Sequence, residues 1–120
     1  MDNIKATNDC GIYLDEFCNR ETLNIDKKYK LEIIIKIAYD PNDKFYRYGI
    51  YCMHNSSSGL GFGYAPGKDD KKYLTAEEAR QAAIIEIANK HSYYCFGKSI
   101  KDILIEAGYL QPVNSISLWD

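Results

Sequence analysis

The sequence predicts an α+β fold in which a three-stranded antiparallel sheet packs on one helix, in the order α-β-β-β-α, with a short extra helix near the C-terminus. Three observations support this prediction. Apolar and polar residues alternate over residues 29–40, which is typical of a strand with one buried face. A turn-forming stretch at residues 41–44 follows, and the strand pattern resumes over residues 45–54. Residues 76–90 then combine a capping signal with the spacing of an amphipathic helix.

The turn predicts a specific register between the first two strands. If Asp40 lies opposite Phe45, every pair on one face is apolar or aromatic: Tyr39 with Tyr46, Ile37 with Tyr48, Ile35 with Ile50, and Ile33 with Cys52. A slip of one residue would bring Lys36 and Glu32 onto that face, so the pattern specifies the register strongly.

The third predicted strand covers residues 60–65 and pairs with the second. Phe62 and Tyr64 then join the buried face, beside Cys52 and Ile50. The other face carries Gly61 and Gly63, and glycine in a strand often marks a place where another backbone or a ligand comes close.

The helices are predicted from their ends. Thr75 and Glu78 have the spacing of a capping box before the main helix, and Ser99 gives a weaker capping signal for a short helix that ends at Gly108. A short N-terminal helix is predicted from the helical spacing of apolar residues over residues 13–18. Residues 110–120 are ambiguous and read best as an extended tail.

Length and composition indicate one domain over residues 1–120. Its parts are an acidic N-terminal segment (1–26), the sheet and main helix (29–90), and a short helix with a tail (99–120). At 46% hydrophobic residues the chain can bury a core, which excludes a disordered tail. No apolar run approaches the ~20 residues of a membrane span, and the polar start is unlike a signal peptide, so we expect a cytoplasmic protein with no membrane association.

Charge is distributed unevenly along the chain. Residues 1–26 hold six acids and two bases, a net charge of −4, whereas the whole chain has −2. A near-neutral body with an acidic arm argues against strong non-specific nucleic-acid binding and would suit a basic protein surface.

We expect a partner to dock on the sheet face opposite the core, because aromatic, methionine and arginine side chains are favoured at interface centres. The candidate partner-binding residues are Lys36, Arg47, Tyr51, Met53, Gly61 and Gly63. The alternative is that the N-terminal helix or the C-terminal tail covers this face.

Metal and catalytic sites are only weakly indicated. Cys52, His54, His91 and Cys95 could supply zinc ligands, but no zinc-finger or zinc-ribbon spacing is matched. His54 precedes three serines at residues 56–58, without a Gly-x-Ser-x-Gly elbow. We therefore expect no cofactor, no bound metal and no enzymatic activity, and a small zinc-binding or enzymatic domain remains an alternative.

Two resemblances suggest a function. The stretches at residues 46–49 and 73–79, with the glycine-rich hairpin between them, resemble small accessory domains of phages and mobile elements, and the size and acidic arm resemble anti-CRISPR-type inhibitors. That resemblance implies stoichiometric binding to a protein or ribonucleoprotein effector. The predicted element order is similar to that of double-stranded-RNA-binding domains, which implies RNA binding through Lys27, Lys28, Lys30, Lys71 and Lys72. The oligomeric state is not indicated.

Overall fold

The computed structural model describes residues 4–54, 61–89, 94–95 and 98–111. Its strands are β1 (Cys18–Thr22), β2 (Leu31–Tyr39), β3 (Tyr46–His54), β4 (Gly61–Tyr64), β5 (Tyr94–Cys95) and β6 (Lys98–Ser99), and its helices are α1 (Ala76–Ala88) and α2 (Ile100–Glu106). Strands β1 to β4 form one antiparallel sheet in sequence order, and β5 pairs with β6. The predicted α+β class is confirmed.

The predicted hairpin register is confirmed. Ile35 lies opposite Ile50 and Ile33 lies opposite Cys52, as the apolar pairing required. In the next pair of strands Tyr51 lies opposite Gly63. Because side chains alternate between the two faces of a strand, this register decides which residues line the core.

The predicted N-terminal helix is wrong, and the sheet has four strands where three were expected. Only a 3-10 turn forms, over Asp15–Phe17, and the chain then enters β1, which pairs antiparallel with β2. Pairing with β1 satisfies backbone groups along the edge of β2 that would otherwise need other partners. A second 3-10 turn, Lys27–Tyr29, occupies the predicted start of the first long strand, so that strand begins at Leu31.

One face of the sheet forms the main core with both helices. Its fully buried side chains include residues of β2, α1 and α2: Ile33, Ile35, Ile84, Ile87, Ile103 and Leu104. We call this the inner face and the opposite one the outer face. The second helix packs against the first and completes this core.

The predicted helix ends are close to the observed ones. Thr75 accepts a hydrogen bond from the Glu78 amide at 3.0 Å, while the Glu78 carboxylate accepts from the Leu74 amide at 3.2 Å. Helix α1 ends at Ala88, two residues before the expected end. Ser99 caps α2, and Gly108 follows it with a φ of +91°, a left-handed conformation that glycine adopts without strain.

Residues 112–120, most of the expected tail, lie outside the described residues. Within the described ranges neither helix has the length and apolar character needed to cross a lipid bilayer.

Candidate functional site

The outer face is divided into a covered half and an open half. The covered half lies under the N-terminal segment, where Ala6, Tyr13 and Ala38 are buried together and Phe17 packs against them. Backbone hydrogen bonds hold the segment in place, including one from the Tyr13 amide to the Pro66 carbonyl at 3.0 Å. The alternative that the N-terminus covers this face is therefore correct for one half of it.

Arg47 belongs to the covered half, and its expected role as an exposed docking residue is wrong. It is 2% exposed, and its guanidinium lies 2.7 Å from an Asp43 carboxylate oxygen and 3.8 Å from Asp40. The Tyr13 hydroxyl donates to Asp40 at 2.6 Å, and the Tyr13 ring lies under the guanidinium. A buried arginine requires such partners, so the outer-face position of Arg47 is explained by internal pairing.

The pKa values in this cluster reflect the same pairing. Burial alone would raise the pKa of Asp40, but hydrogen bonds from Tyr13 and the Asn42 amide outweigh it and hold that pKa below its usual value. A hydrogen bond from Arg47 lowers the pKa of Asp43. Burial raises the pKa of the Tyr13 hydroxyl, and donation to Asp40 raises it further. At pH 7 both carboxylates and the Arg47 guanidinium are therefore charged. Because they pair with one another, we assign the cluster a structural role.

A close approach of two backbones marks the boundary between the halves. A Cβ on Gly49 would lie 2.6 Å from Pro66 Cδ and 2.7 Å from Pro66 N. Pro66 is fully buried. Only glycine allows the loop after β4 to lie against β3 at this point.

The open half carries four of the six predicted docking residues. Tyr51 is 42% exposed and Met53 is 37% exposed, and Gly61 and Gly63 are exposed beside them. A groove of about 330 Å³ lies next to Tyr51, and Ile34, Gly49 and Gly63 contribute to its lining. Tyr51 lies across Gly63, where a Cβ would be 3.2 Å from the Tyr51 ring and 2.7 Å from the Ile50 carbonyl oxygen, so the packing of the sheet itself requires glycine at position 63.

Two cations lie at the rim of this groove. Arg20 of β1 is directly opposite Lys36 of β2, and both line the groove. Asp15 pairs with Lys36 at 2.5 Å, and this hydrogen bond lowers the pKa of Asp15. Lys36 was predicted as a docking residue, whereas Arg20 was missed because β1 was not predicted.

The lysines expected to bind RNA do not form one surface. Lys27, Lys28 and Lys30 lie at the start of β2, whereas Lys72 lies over the Phe45 ring at the other end of the hairpin. At about 3.3 Å per residue, the length of β2 separates the two groups by roughly 26 Å. Lys71 lies with the second group, over the Tyr73 ring. The observed element order also differs from the helix-first order on which the RNA-binding resemblance rested.

The acidic N-terminal segment pairs largely with the protein itself. Glu21 forms a two-point hydrogen bond with Arg80 at 2.6 and 2.9 Å, and Asp26 accepts from the Lys28 amide at 2.9 Å. Asp9 lies 3.5 Å from Lys5. Asp15 is also paired but its side chain is 89% exposed, so the acidic docking arm stays a prediction for Asp9 and Asp15, whereas Glu21 is held by Arg80.

The proposed zinc and serine sites are only partly described. Cys52 is buried on the inner face, opposite Ile33. Within the described part of the chain, no three metal-ligating side chains come together. His91, the side chain of Cys95 and the serines at residues 56–58 lie outside the described residues.

A cluster of tyrosines on the inner side of the sheet was not among the predicted site residues. The hydroxyls of Tyr48 and Tyr64 both donate to the same Glu86 oxygen, at 2.5 and 2.7 Å. The Tyr73 ring lies 5.9 Å from that of Tyr48, centroid to centroid. Burial and donation to Glu86 raise the pKa of both donor hydroxyls. The predicted register already placed the two donors on one face, which was the available signal.

Comparison with known proteins identifies no relative of this chain. No family model matches the chain, and no curated protein or solved structure matches it either. Its function is therefore inferred from the geometry of its own residues.

Proposed function

We propose that this chain is a non-enzymatic binding protein that holds a carboxylate-bearing, partly apolar segment of a partner protein in the open half of its outer face. The observation that supports the proposal most directly is the groove beside Tyr51, with Arg20 and Lys36 at its rim. The partner is a protein or a ribonucleoprotein, and the chain acts by stoichiometric binding.

The shape and composition of the open half favour a protein partner. Exposed tyrosine and methionine side chains are enriched at protein interfaces relative to the rest of the surface. Tyr51 and Met53 lie next to each other along β3, and the Tyr51 hydroxyl is 3.6 Å from the Met53 sulfur. Gly61 is exposed and adds no side chain beside Met53, so a partner can approach the sheet there, whereas Tyr51 itself covers Gly63.

The rim charges favour a carboxylate on that partner. Like charges directly opposite each other across two strands destabilise a sheet. Arg20 and Lys36 are such a pair, and Asp15 neutralises only one of the two charges. The remaining positive charge is available for an acidic side chain of the partner.

The resemblance to anti-CRISPR-type inhibitors suggests which partner to test. We propose a nucleic-acid-targeting defence effector, inhibited because the bound chain occupies part of its surface. Such an inhibitor needs a tight interface and no chemistry of its own.

The test begins with affinity purification of partners from the native host, with and without nuclease treatment. A recovered effector is then titrated with the purified chain by calorimetry. We expect a complex of fixed stoichiometry that resists nuclease, and an affinity at least about tenfold lower for Arg20→Glu and for Tyr51→Ala. Lys68→Glu is the matched control, because it reverses an exposed charge that neither lines the groove nor belongs to the predicted RNA-binding set, and it should leave the affinity unchanged.

Two outcomes would contradict the proposal. If both groove variants bind as tightly as the wild-type chain, the surface is wrong. If nuclease abolishes the complex, and if Lys71→Glu and Lys72→Glu weaken binding to duplex RNA with a steep salt dependence, the chain is an RNA-binding module.

A further inference from the structure

A second candidate site lies on the inner side of the sheet and shares only Tyr64 with the lining of the outer-face groove. The rings of Tyr48, Tyr64 and Tyr73, together with Glu86 of α1, line a cavity of about 240 Å³. A shallower depression of about 420 Å³ shares Tyr48, Tyr73 and Glu86 and extends towards Ile85, whose side chain is 51% exposed.

The lining of this cavity is electronegative. Aromatic faces carry partial negative charge, and the rings of Tyr48 and Tyr64 have centroids 6.4 Å apart, tilted by 43°. Both hydroxyls direct their hydrogens to a single Glu86 oxygen, which fixes the orientation of the rings and of the carboxylate. Ring faces combined with a carboxylate favour an organic cation over an anion or a neutral group.

A cation of the protein already lies at this site. Lys71 lines the cavity, and its ammonium group is 5.6 Å from the centroid of the Tyr73 ring. Its side chain is otherwise exposed and reaches the site from the loop before α1. Lys71 forms part of the cavity wall beside Asp70, so its position shows that the Tyr73 ring accepts an ammonium group, and an exposed lysine can be displaced from that ring.

We propose that this tyrosine cavity binds an alkylammonium group supplied from outside the chain, in competition with Lys71. The volume is below the 300–1,000 Å³ typical of pockets for whole small molecules, so it fits one headgroup or one side-chain end. The proposal does not rest on the proposed outer-face partner, because Tyr48, Tyr73 and Glu86 do not line the outer-face groove.

The probe for this site is tetramethylammonium chloride, followed by amide chemical shifts in two-dimensional NMR. We expect concentration-dependent shifts centred on Tyr48, Tyr73 and Glu86. Sodium chloride at equal ionic strength and tert-butyl alcohol, a neutral group of similar shape, should bind at least about fivefold more weakly or not at all.

The resident lysine provides the sharpest comparison. Lys71→Ala removes the internal competitor without touching the core, so its affinity for tetramethylammonium should rise about two- to fivefold. Lys68→Ala is the matched control, because it removes an exposed lysine of the same loop that does not line the cavity. Glu86→Gln should lower the affinity about fivefold or more.

Three results would overturn the proposal: no localised shifts, equal binding of tert-butyl alcohol, or unchanged affinity in Lys71→Ala. A peptide containing trimethyllysine then identifies the source of the cation. Tighter binding of the peptide than of tetramethylammonium assigns the site to a protein side chain, and equal binding assigns it to a free small cation.

Discussion

The buried hydroxyl of Tyr13 provides a direct test of what holds the N-terminal segment on the sheet. Replacing Tyr13 with phenylalanine keeps the ring and its contact with the Arg47 guanidinium but removes the 2.6 Å hydrogen bond to Asp40. A hydrogen bond to a charged group contributes about 1.5–3 kcal/mol. Asp40 retains the Asn42 amide at 2.8 Å, so we expect a loss near the middle of that range, about 2 kcal/mol.

The assay is urea unfolding followed by circular dichroism at several pH values. With a slope of about 2 kcal/mol per molar urea, the midpoint of Tyr13→Phe should fall by about 1 M at pH 7. The variant's Asp40 should have a higher folded-state pKa than the wild-type residue, whose pKa is held below its usual value. The stabilisation of ionised Asp40 by Tyr13 is present above the unfolded-state pKa of about 3.9 and is lost as pH falls through the folded-state pKa. The difference in free energy of unfolding between the wild-type chain and Tyr13→Phe should therefore become smaller below about pH 4.

The matched control is Tyr39→Phe. The Tyr39 hydroxyl has no hydrogen-bond partner among the described residues, and its ring packs against Tyr46 at 5.0 Å, which the substitution preserves. Its free energy of unfolding should change by less than about 0.5 kcal/mol. A loss in Tyr13→Phe as small as that of the control, or one that is the same at pH 3 and pH 7, would refute the reasoning.

Three further predictions concern stability. Gly49→Ala should lower the free energy of unfolding by about 1–3 kcal/mol in urea titrations, because the new Cβ would overlap Pro66. Leu104→Ala should cost about 2–5 kcal/mol, measured as the loss of thermal and urea stability, because Leu104 is fully buried between α2 and the sheet core. Glu21→Gln should cost at most about 1 kcal/mol, because the pair with Arg80 is partly exposed; the hydrogen bond from Arg80 lowers the pKa of Glu21, so this cost should disappear as pH falls below about 4.

Each of these has a clear contrary result. A neutral Gly49→Ala would mean that the loop after β4 moves freely away from β3. A loss below about 1 kcal/mol for Leu104→Ala would mean that α2 does not complete the core. A cost for Glu21→Gln that persists at pH 3 would show that the carboxylate stabilises the fold by something other than its charge.

The central hairpin was predictable because its information is local. Alternation over β2 and β3 and one short turn specify the register, and the pairing of Ile35 with Ile50 follows from them. The helix caps at Thr75 and Ser99 are likewise read from a few adjacent residues.

Strand β1 was not predictable in the same way. Its sequence has no apolar alternation. Pairing with β2 holds it in place, together with Cys18 against the outer-face cluster and Glu21 against Arg80 of α1. Strand pairing of this kind depends on the partner's free edge, which a sequence pattern does not reveal. Without β1, Arg20 could not be placed beside Lys36, so the pair of cations at the rim of the groove was not predicted.

The error over Arg47 has a different cause. The alternation of β3 correctly placed Arg47 on the outer face. Whether Arg47 is exposed there depended on Tyr13, which covers it and is distant in sequence. Asp43 lies in the turn before β3 and Arg47 lies in the strand, so the helical spacing rule for ion pairs did not apply to them.

The hydrogen bonds that hold the N-terminal segment on the sheet join residues that are synthesised at very different times. During translation Tyr13 emerges long before Pro66, to whose carbonyl it donates, and Asn24 emerges long before Tyr109, whose hydroxyl accepts from it. The segment that holds Ala6 and Tyr13 therefore leaves the ribosome before its partners, and these residues stay exposed to chaperones or premature association during that interval. Slowing translation between Tyr13 and Pro66 should accordingly lower the yield of folded protein.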